Sequence, residues 1–258
     1  MKILVTGSKG SVGRCVCRNL ISEGYTVFDL PNSSEFDLSN SHQVNEYFKD
    51  REFDVVIHLA TRGGSRLIKY PWSIVDENLS MYYNLFSNRN RYKKLLSFGS
   101  GAELRSLDEP YAYSKSVIRK SILNNEKFHN LRIYNSFDEN ELDTRFIKSN
   151  ILNYINKKPI RIYEDKFVDF MYTEDVYKII KKYIEQESLE KEIDCVYSEK
   201  YKLSDVANII NGLEDHRVDV IIDKSESFDD YIGTIYPKNL DFIGLKEGIR
   251  RVYNKLKI

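Results

Sequence analysis

Lys2-Ile-Leu-Val-Thr-Gly-Ser-Lys-Gly-Ser-Val-Gly13 carries an apolar run straight into glycines at positions 7, 10 and 13, and helix-periodic sequence follows to Ser22. Gly7 suits a tight turn off a strand, Gly10 lets backbone N–H groups approach a pyrophosphate, and Gly13 lets the next helix pack closely on the sheet. The N-terminus of that helix then faces an anion. Three spaced glycines alone occur in many turns. The second sign is Tyr25-Thr-Val-Phe-Asp29, a buried-strand pattern ending in an acid about 20 residues beyond the glycines, where a ribose-binding carboxylate belongs.

Outward from this start, apolar runs alternate with helix-periodic stretches to about residue 135. Strands are predicted at 2–6, 25–29, 54–59, 94–99 and 130–134, and helices over Val12–Ser22, His42–Lys49, Pro71–Asn90 and Ala112–Asn125. This is the pattern of an α/β fold with a Rossmann-type doubly wound parallel sheet. Ligands of such sheets bind beyond the carboxyl ends of the strands, and Gly7, Asp29, Ala60 and Ser100 all fall just after predicted strands. Residues 1–135 read as a dinucleotide-binding core. Residues 136–258 read mainly as a small substrate-binding lobe with elements returning to the core: a helix near 144–157, a strand near 160–163, a helix from Thr173 to Gln186, a sheet strand near 193–197, a helix from Ser204 or Asp205, and an amphipathic helix over Leu245–Lys257 despite Gly248.

Among 258 residues, 39 basic side chains balance 39 acidic ones, so no global field favours nucleic acid or an anionic membrane. An anionic ligand must be held locally. The apolar runs are strand-length, far below the roughly 20 residues that span a bilayer, and the first enters its glycine turn without a cleavage site. A cytoplasmic protein is expected. Cys15, Cys17 and Cys195 read as space-filling side chains of a reduced compartment, with no metal implied.

Tyr111-Ala-Tyr-Ser-Lys115 places a phenol and an ammonium four residues apart, on one helix face. A tyrosine with its ordinary pKa near 10 is a poor acid or base at neutral pH. A lysine beside it favours the phenolate and can also hold a nicotinamide ribose. Ser100 could donate to a carbonyl or hydroxyl oxygen while Tyr111 exchanges a proton and hydride moves to or from a nicotinamide.

With these residues together, the chain resembles an extended short-chain dehydrogenase/reductase of the nucleotide-sugar epimerase/dehydratase family over nearly its whole length. Thr6-Gly-Ser-Lys-Gly-Ser-Val-Gly13 is similar to that family's glycine motif, Asp37-Leu38 to its adenine-contacting pair, and His58-Leu-Ala60 to its cofactor-lining stretch. Asn78 with Asn84-Leu85 resembles the helix before the active-site strand, and Ser100, Tyr111 and Lys115 fall on the triad. Leu131-Arg-Ile-Tyr-Asn135, Asp169-Phe170 with Thr173-Glu-Asp-Val176, and Lys246-Glu-Gly-Ile249 are similar to later segments. The resemblance implies catalysis by Ser100, Tyr111 and Lys115, and cofactor contacts from Gly7, Lys9, Gly10, Ser11, Val12, Gly13, Asp29, Asp37, Leu38, Leu59, Ala60, Thr61, Asn78, Tyr111 and Lys115. It implies substrate contacts from Arg62, Gly63, Gly101, Ala102, Asn135, Arg145 and Arg161, and a homodimer in which Met81, Tyr82, Leu85 and Phe86 offer an apolar face.

Within the family the early chain most resembles GDP-fucose synthases and the reductases that make dTDP-rhamnose. Gly101-Ala102 replaces the Asp-Glu that follows the triad Ser/Thr in 4,6-dehydratases, which disfavours elimination. Ala102 also takes the place of the fucose synthases' cysteine, and Asn140 falls near their histidine, which removes the acid/base pair for double epimerisation. What survives is redox chemistry at one sugar carbon, C4, as keto reduction or epimerisation. Only ten residues separate Ser100 from Tyr111, and Val168 stands where the family has an arginine, leaving Arg145, Arg161 or Lys166 to meet a diphosphate. Asp29 tilts the cofactor choice to NAD(H), while Lys9 could neutralise the extra phosphate of NADP(H). The nucleotide and sugar stay open. Tyr113, Trp72 and His58 read more simply as packing residues than as ligand contacts, and Arg62-Gly-Gly64 as an entrance or a turn. The alternative function is a cofactor-binding regulator of the same fold without turnover.

Overall fold

The computed structural model describes residues 1–30, 34–65, 67–187, 189–224 and 229–257. The chain forms two compact units, Met1–Ile133 with Ile180–Ile193, and Tyr134–Ile179 with Asp194 onward. The polypeptide thus leaves the first unit after Ile133 and re-enters it over Ile180–Ile193, the second half of one helix and the start of the strand that follows.

In the first unit, strands β1 (Lys2–Thr6), β2 (Thr26–Asp29), β3 (Phe53–His58), β4 (Tyr92–Ser100) and β5 (Phe128–Ile133) alternate with helices α1 (Ser11–Ser22), α2 (Ser41–Phe48), α3 (Ser73–Ser87) and α4 (Pro110–Leu123). β1 pairs in parallel with β2 and β3, and β4 pairs in parallel with β3 and β5. Strands covered on both faces need near-continuous apolar sequence. β1, β3 and β4 meet that demand with Ile3, Leu4, Val5, Val55, Val56, Ile57, Leu95 and Leu96, all essentially removed from solvent. The edge strand β2, only Thr-Val-Phe-Asp, is half exposed. Leu4, Phe48, Val56, Leu85, Leu95 and Phe128 belong to one continuous core.

Tyr82 and Leu85 are fully buried in that core, Met81 almost so, and Phe86 packs against it. These side chains face inward, so the apolar face expected for dimerisation is core surface. The repeating apolar spacing of α3 signalled a buried stripe without saying which surface covers it.

The second unit carries β6 (Ser136–Phe137), α5 (Phe146–Ile155), β7 (Ile160–Glu164), β8 (Met171–Tyr172), α6 (Thr173–Glu185, whose end lies in the first unit), β9 (Glu192–Cys195, whose first two residues lie in the first unit), α7 (Leu203–Asn211), β10 (Val220–Lys224) and α8 (Leu245–Leu256). The main sheet has the order β2-β1-β3-β4-β5-β9, and β6–β8 and β7–β10 form two small parallel ladders. β6, β8 and β10 are absent from the sequence expectation because they are very short or, in β10, mostly exposed and without alternation. Gly248 has a packing reason. A Cβ there would lie 3.0 Å from Phe137 Cζ and from Tyr172 Cβ, so glycine lets α8 approach β6 and β8. Among the described residues no helix is long and apolar enough to cross a membrane.

Candidate active site

The turn after β1 is shaped by glycines with different jobs. Gly7 adopts φ +70°, and a Cβ on it would sit 2.6 Å from Ala60 N, so only glycine brings the turn this close to the segment after β3. A Cβ on Gly13 would collide with Gly7 O and lie 2.8 Å from Ser8 Cα. Gly10 is different, because its Cβ would meet nothing nearer than Gly7 O at 3.5 Å and would project into open space. That space lies at the N-terminus of α1, where the N-cap Gly10 supplies no side-chain hydrogen bond and the first turn has no acid. Among the described residues, Ser11 Oγ, shielded from solvent, has no hydrogen-bond partner there. Uncapped N–H groups, a positive dipole end and an orphaned hydroxyl fit a phosphate group.

Around this turn the first unit gathers most of the expected cofactor residues. Asp29 ends β2 with its carboxylate 3.3 Å from Lys9 Nζ and 3.5 Å from Ser8 Oγ. Both members of the Lys9–Asp29 pair are at least half exposed, so water screens the attraction. Asp37 accepts from Ser39 N at 2.9 Å and Ser39 Oγ at 2.7 Å, bonds that hold its carboxyl below the usual range. Leu38 is buried and its carbonyl accepts from Asn84. Leu59 N donates to Thr6 O, and Ala60 N donates to Thr6 Oγ1. That hydroxyl lies 2.9 Å from His58 Nδ1, and burial pushes His58 down to about 3. A neutral, enclosed His58 is a packing and bracing group.

Asn78 does not present its amide to an open surface. Its Oδ1 accepts from Arg62 N (2.8 Å) and Thr61 Oγ1 (3.4 Å), and its Nδ2 donates to Arg62 O (3.0 Å) and Ser114 Oγ (3.1 Å). Ser114 Oγ donates in turn to Tyr111 O at 2.8 Å. Asn78 therefore ties the loop after β3 to the first turn of α4. Arg62 pairs through its guanidinium with Glu77 at 3.2 Å.

Ser100 is the last residue of β4, and Tyr111 and Lys115 lie on α4, which begins at Pro110 with φ already set for a helix. Lys115 Nζ is buried, donates to Phe98 O at 2.7 Å, and lies 5.8 Å from the Tyr111 ring centroid. Burial pulls its ammonium down to about 8, and Glu103 opposes the pull. The Tyr111 ring lies along a turn with two left-handed glycines: a Cβ on Gly63 would be 3.0 Å from Tyr111 Cδ2, and one on Gly64 would be 3.5 Å from its hydroxyl oxygen. Both glycines leave room for the phenol. Gly101 and Ala102 belong to a single 3₁₀ turn, Gly101–Leu104, that packs on α4.

In the second unit, Asn135 Nδ2 donates to Asp169 O at 3.0 Å and so braces the chain between β6 and β8. Arg145 is the residue before α5, and Arg161 is an exposed residue of β7 whose backbone is clamped by Asn150. Among the described residues no group of three or more His, Cys, Asp or Glu side chains is arranged to hold a metal.

Sequence reasoning missed Ser8, Thr6, Ser114 and above all Glu103. Its carboxylate accepts from Ser100 N while Ser100 Oγ accepts from Ala102 N, a reciprocal cap. The spacing Ser100-x-x-Glu103 is the signal that could have found it.

Residues 3–196 match the sequence profile of the NAD dependent epimerase/dehydratase family. A GDP-L-colitose synthase of Yersinia pseudotuberculosis is 26% identical across 88% of this chain and 86% of its own. Among solved structures, a GDP-mannoheptose C4 reductase from Campylobacter jejuni with NADP bound superimposes with a TM-score of 0.83 at 16% identity, over 100% of this chain and 98% of that one. A UDP-glucose 4-epimerase from Thermotoga maritima gives 0.81, also at 16%, over 99% and 98%. The two structures share the fold.

Proposed function

We propose that this chain, which belongs to the NAD dependent epimerase/dehydratase family, is a nicotinamide-dependent oxidoreductase that acts at C4 of a GDP-linked sugar. The observation that carries the reading is the Tyr111–Lys115 pair at the carboxyl edge of the sheet, with the ammonium 5.8 Å from the phenol ring and the Gly63-Gly64 turn leaving the ring its space. The relative's name supports the GDP link.

When bound, the nicotinamide supplies hydride to a carbonyl carbon or takes it from a carbinol. The Gly7–Gly13 turn and the α1 N-terminus would hold the diphosphate, and Asp29 the adenosine ribose. Reduction needs one proton at the carbonyl oxygen. Tyr111 Oη gives it and is reprotonated from solvent; in the oxidative direction the phenolate accepts it. The Lys115 ammonium stabilises that phenolate, and the Ser100 hydroxyl donates to the same sugar oxygen. Arg145 and Arg161 are the candidates for the sugar's diphosphate. Net keto reduction is favoured over epimerisation at C3 and C5 because Ala102 carries no acid/base group.

For the cofactor, Asp29 favours NAD(H), and Lys9 at 3.3 Å from it is placed to admit NADP(H) by pairing with the added phosphate. The test is loss of the reduced-nicotinamide absorbance when the protein, with NADH or NADPH, meets a panel of 4-keto GDP-sugars. One equivalent of cofactor oxidised per sugar is expected. Bound cofactor with neither oxidation nor C4 epimerisation would overturn the reading in favour of a regulator.

A further inference from the structure

Resting on the reading of the Gly7–Gly13 turn as the dinucleotide cradle and of Asp29 as the ribose acid, we propose that Arg14 selects the cofactor. With Lys9 it forms a site for the phosphate that NADP(H) carries on its adenosine ribose, so this chain takes NADP(H) in preference to NAD(H).

Arg14 follows Gly13 directly in the first turns of α1, and helical side chains lean back toward the helix N-terminus. There its Nε donates to Lys9 O at 2.7 Å. That bond uses one guanidinium N–H and leaves both Nη groups as a fork that suits a phosphate. The side chain is exposed, and among the described residues no carboxylate pairs with it. Lys9 is also the residue whose Nζ lies 3.3 Å from Asp29 Oδ2, so the anchor ties the guanidinium to the ribose end of the turn. Cys17, three residues along on the same side of α1, supports this placement. Burial raises its thiol to about 11, the Asp29 carboxylate adds to the rise and Lys9 opposes it. That side of the helix is therefore turned toward the end of β2.

The charges assign the phosphate. A phosphate monoester carries about −1.5 to −2 at neutral pH. The Asp29 carboxylate repels it, and Lys9, already paired with that carboxylate, does no more than cancel the repulsion. A neutral pair gives no preference for the added phosphate. Arg14 is the second cation, and with it the ribose end of the turn holds two positive charges against one negative. The diphosphate common to both cofactors has its own donors in the uncapped N–H groups of α1 and Ser11 Oγ. Arginine suits the remaining task better than lysine, because its planar fork meets two phosphate oxygens at once.

The experiment is direct titration with NADPH and with NADH, which differ only in the ribose phosphate, read by the fluorescence of the bound cofactor. The wild-type protein should bind NADPH at least about tenfold tighter than NADH. In Arg14→Gln, whose amide keeps an N–H for Lys9 O, NADPH should weaken about tenfold or more while NADH stays within about twofold. Arg14→Lys, with the charge but not the fork, should recover only part of the loss. Wild-type protein that binds both cofactors equally overturns the proposal, and so does an Arg14→Gln variant that keeps the preference. Equal weakening of NADPH and NADH also overturns it, because Arg14 would then serve the shared diphosphate. Wild-type protein that binds neither cofactor removes the dinucleotide cradle itself, and the proposal falls with it.

Discussion

Gly10→Ala and Gly13→Ala should separate binding from folding, although the two glycines lie three residues apart in one motif. At Gly13 the new methyl would meet backbone, Gly7 O and Ser8 Cα, the latter at 2.8 Å where ordinary contact begins at 3.4 Å. Neither backbone atom can rotate away, so α1 must move outward by roughly an ångström to clear Gly7 O, at a cost of about 3 kcal/mol. For a protein of this size that lowers Tm by about 8 °C. At Gly10 the methyl meets only one oxygen, at 3.5 Å, and φ −71°, ψ 168° is open to alanine. The poorer N-cap and the stiffer unfolded chain offset each other to within about 0.5 kcal/mol. The methyl does, however, fill the space over the α1 N-terminus where a diphosphate would sit. Loss of one or two charge-assisted N–H bonds should weaken cofactor binding about 100-fold. Urea unfolding measures the first effect, and fluorescence of bound NADH or NADPH the second. If Gly10→Ala binds either cofactor within about threefold of wild type, the turn is not the phosphate cradle. If Gly13→Ala unfolds at the wild-type urea concentration, the packing argument is wrong.

Tyr111→Phe should lower turnover by about 10³-fold while cofactor affinity stays within a factor of about two, because only the proton donor is removed; equal loss of both would show that the ring holds the cofactor. Asn78→Leu should cost about 3 kcal/mol in thermal unfolding, since Arg62 N–H and its carbonyl, with Ser114, lose a buried partner; a wild-type Tm would refute the bracing role. His58 is depressed from 6.5 to about 3, so the unfolded chain binds the extra proton between those values. Its contribution is complete above pH 6.5 and falls by about 1.4 kcal/mol per unit below it, a slope that His58→Asn should flatten in acid unfolding curves. Lys9→Ala should weaken NADPH about tenfold more than NADH by direct titration, and equal losses would remove Lys9 from cofactor choice.

What was legible in the sequence follows a physical division. β1, β3 and β4 could be read because strands covered on both faces leave unbroken apolar runs, and Gly7 and Gly13 because backbone meets backbone around them. Tyr111 and Lys115 could be paired because helix geometry fixes residues four apart. The direction of a buried stripe could not be read, and so Met81, Tyr82 and Leu85 were misplaced on a dimer face when they belong to the core. Nor could contacts between distant segments. Glu103, Asn130, Arg132 and Glu192 are brought together only by sheet pairing and chain re-entry, and the Ser100-x-x-Glu103 spacing hints at one bond of that set. Asn78 was picked out by resemblance, yet its work, joining the Arg62 loop to Ser114, depends on a helix–helix register that local spacing does not encode.

Val168 shows how packing bears on substrate recognition. Where the family resemblance leads one to expect an arginine, the side chain here is nearly buried and its backbone bridges to Tyr231, while Asp169 N donates to Tyr231 O at 3.0 Å. The next carboxylate, Asp169, is consumed by Lys200 at 2.7 Å and Gly233 N at 2.7 Å. An arginine introduced at 168 would therefore bury a guanidinium beside a carboxylate whose partners are already in place, an expensive change for the lobe. On the proposed function, the candidates for the diphosphate contact are then Arg145, Arg161 and Lys166. Arg161 has an exposed side chain and a backbone held on both sides by Asn150, so its truncation removes charge without loosening β7. Arg161→Ala should raise KM for a GDP-sugar about tenfold at unchanged kcat and leave Tm within about 1 °C. A variant that keeps the wild-type KM would take Arg161 out of substrate binding and leave Arg145 and Lys166 as the candidates.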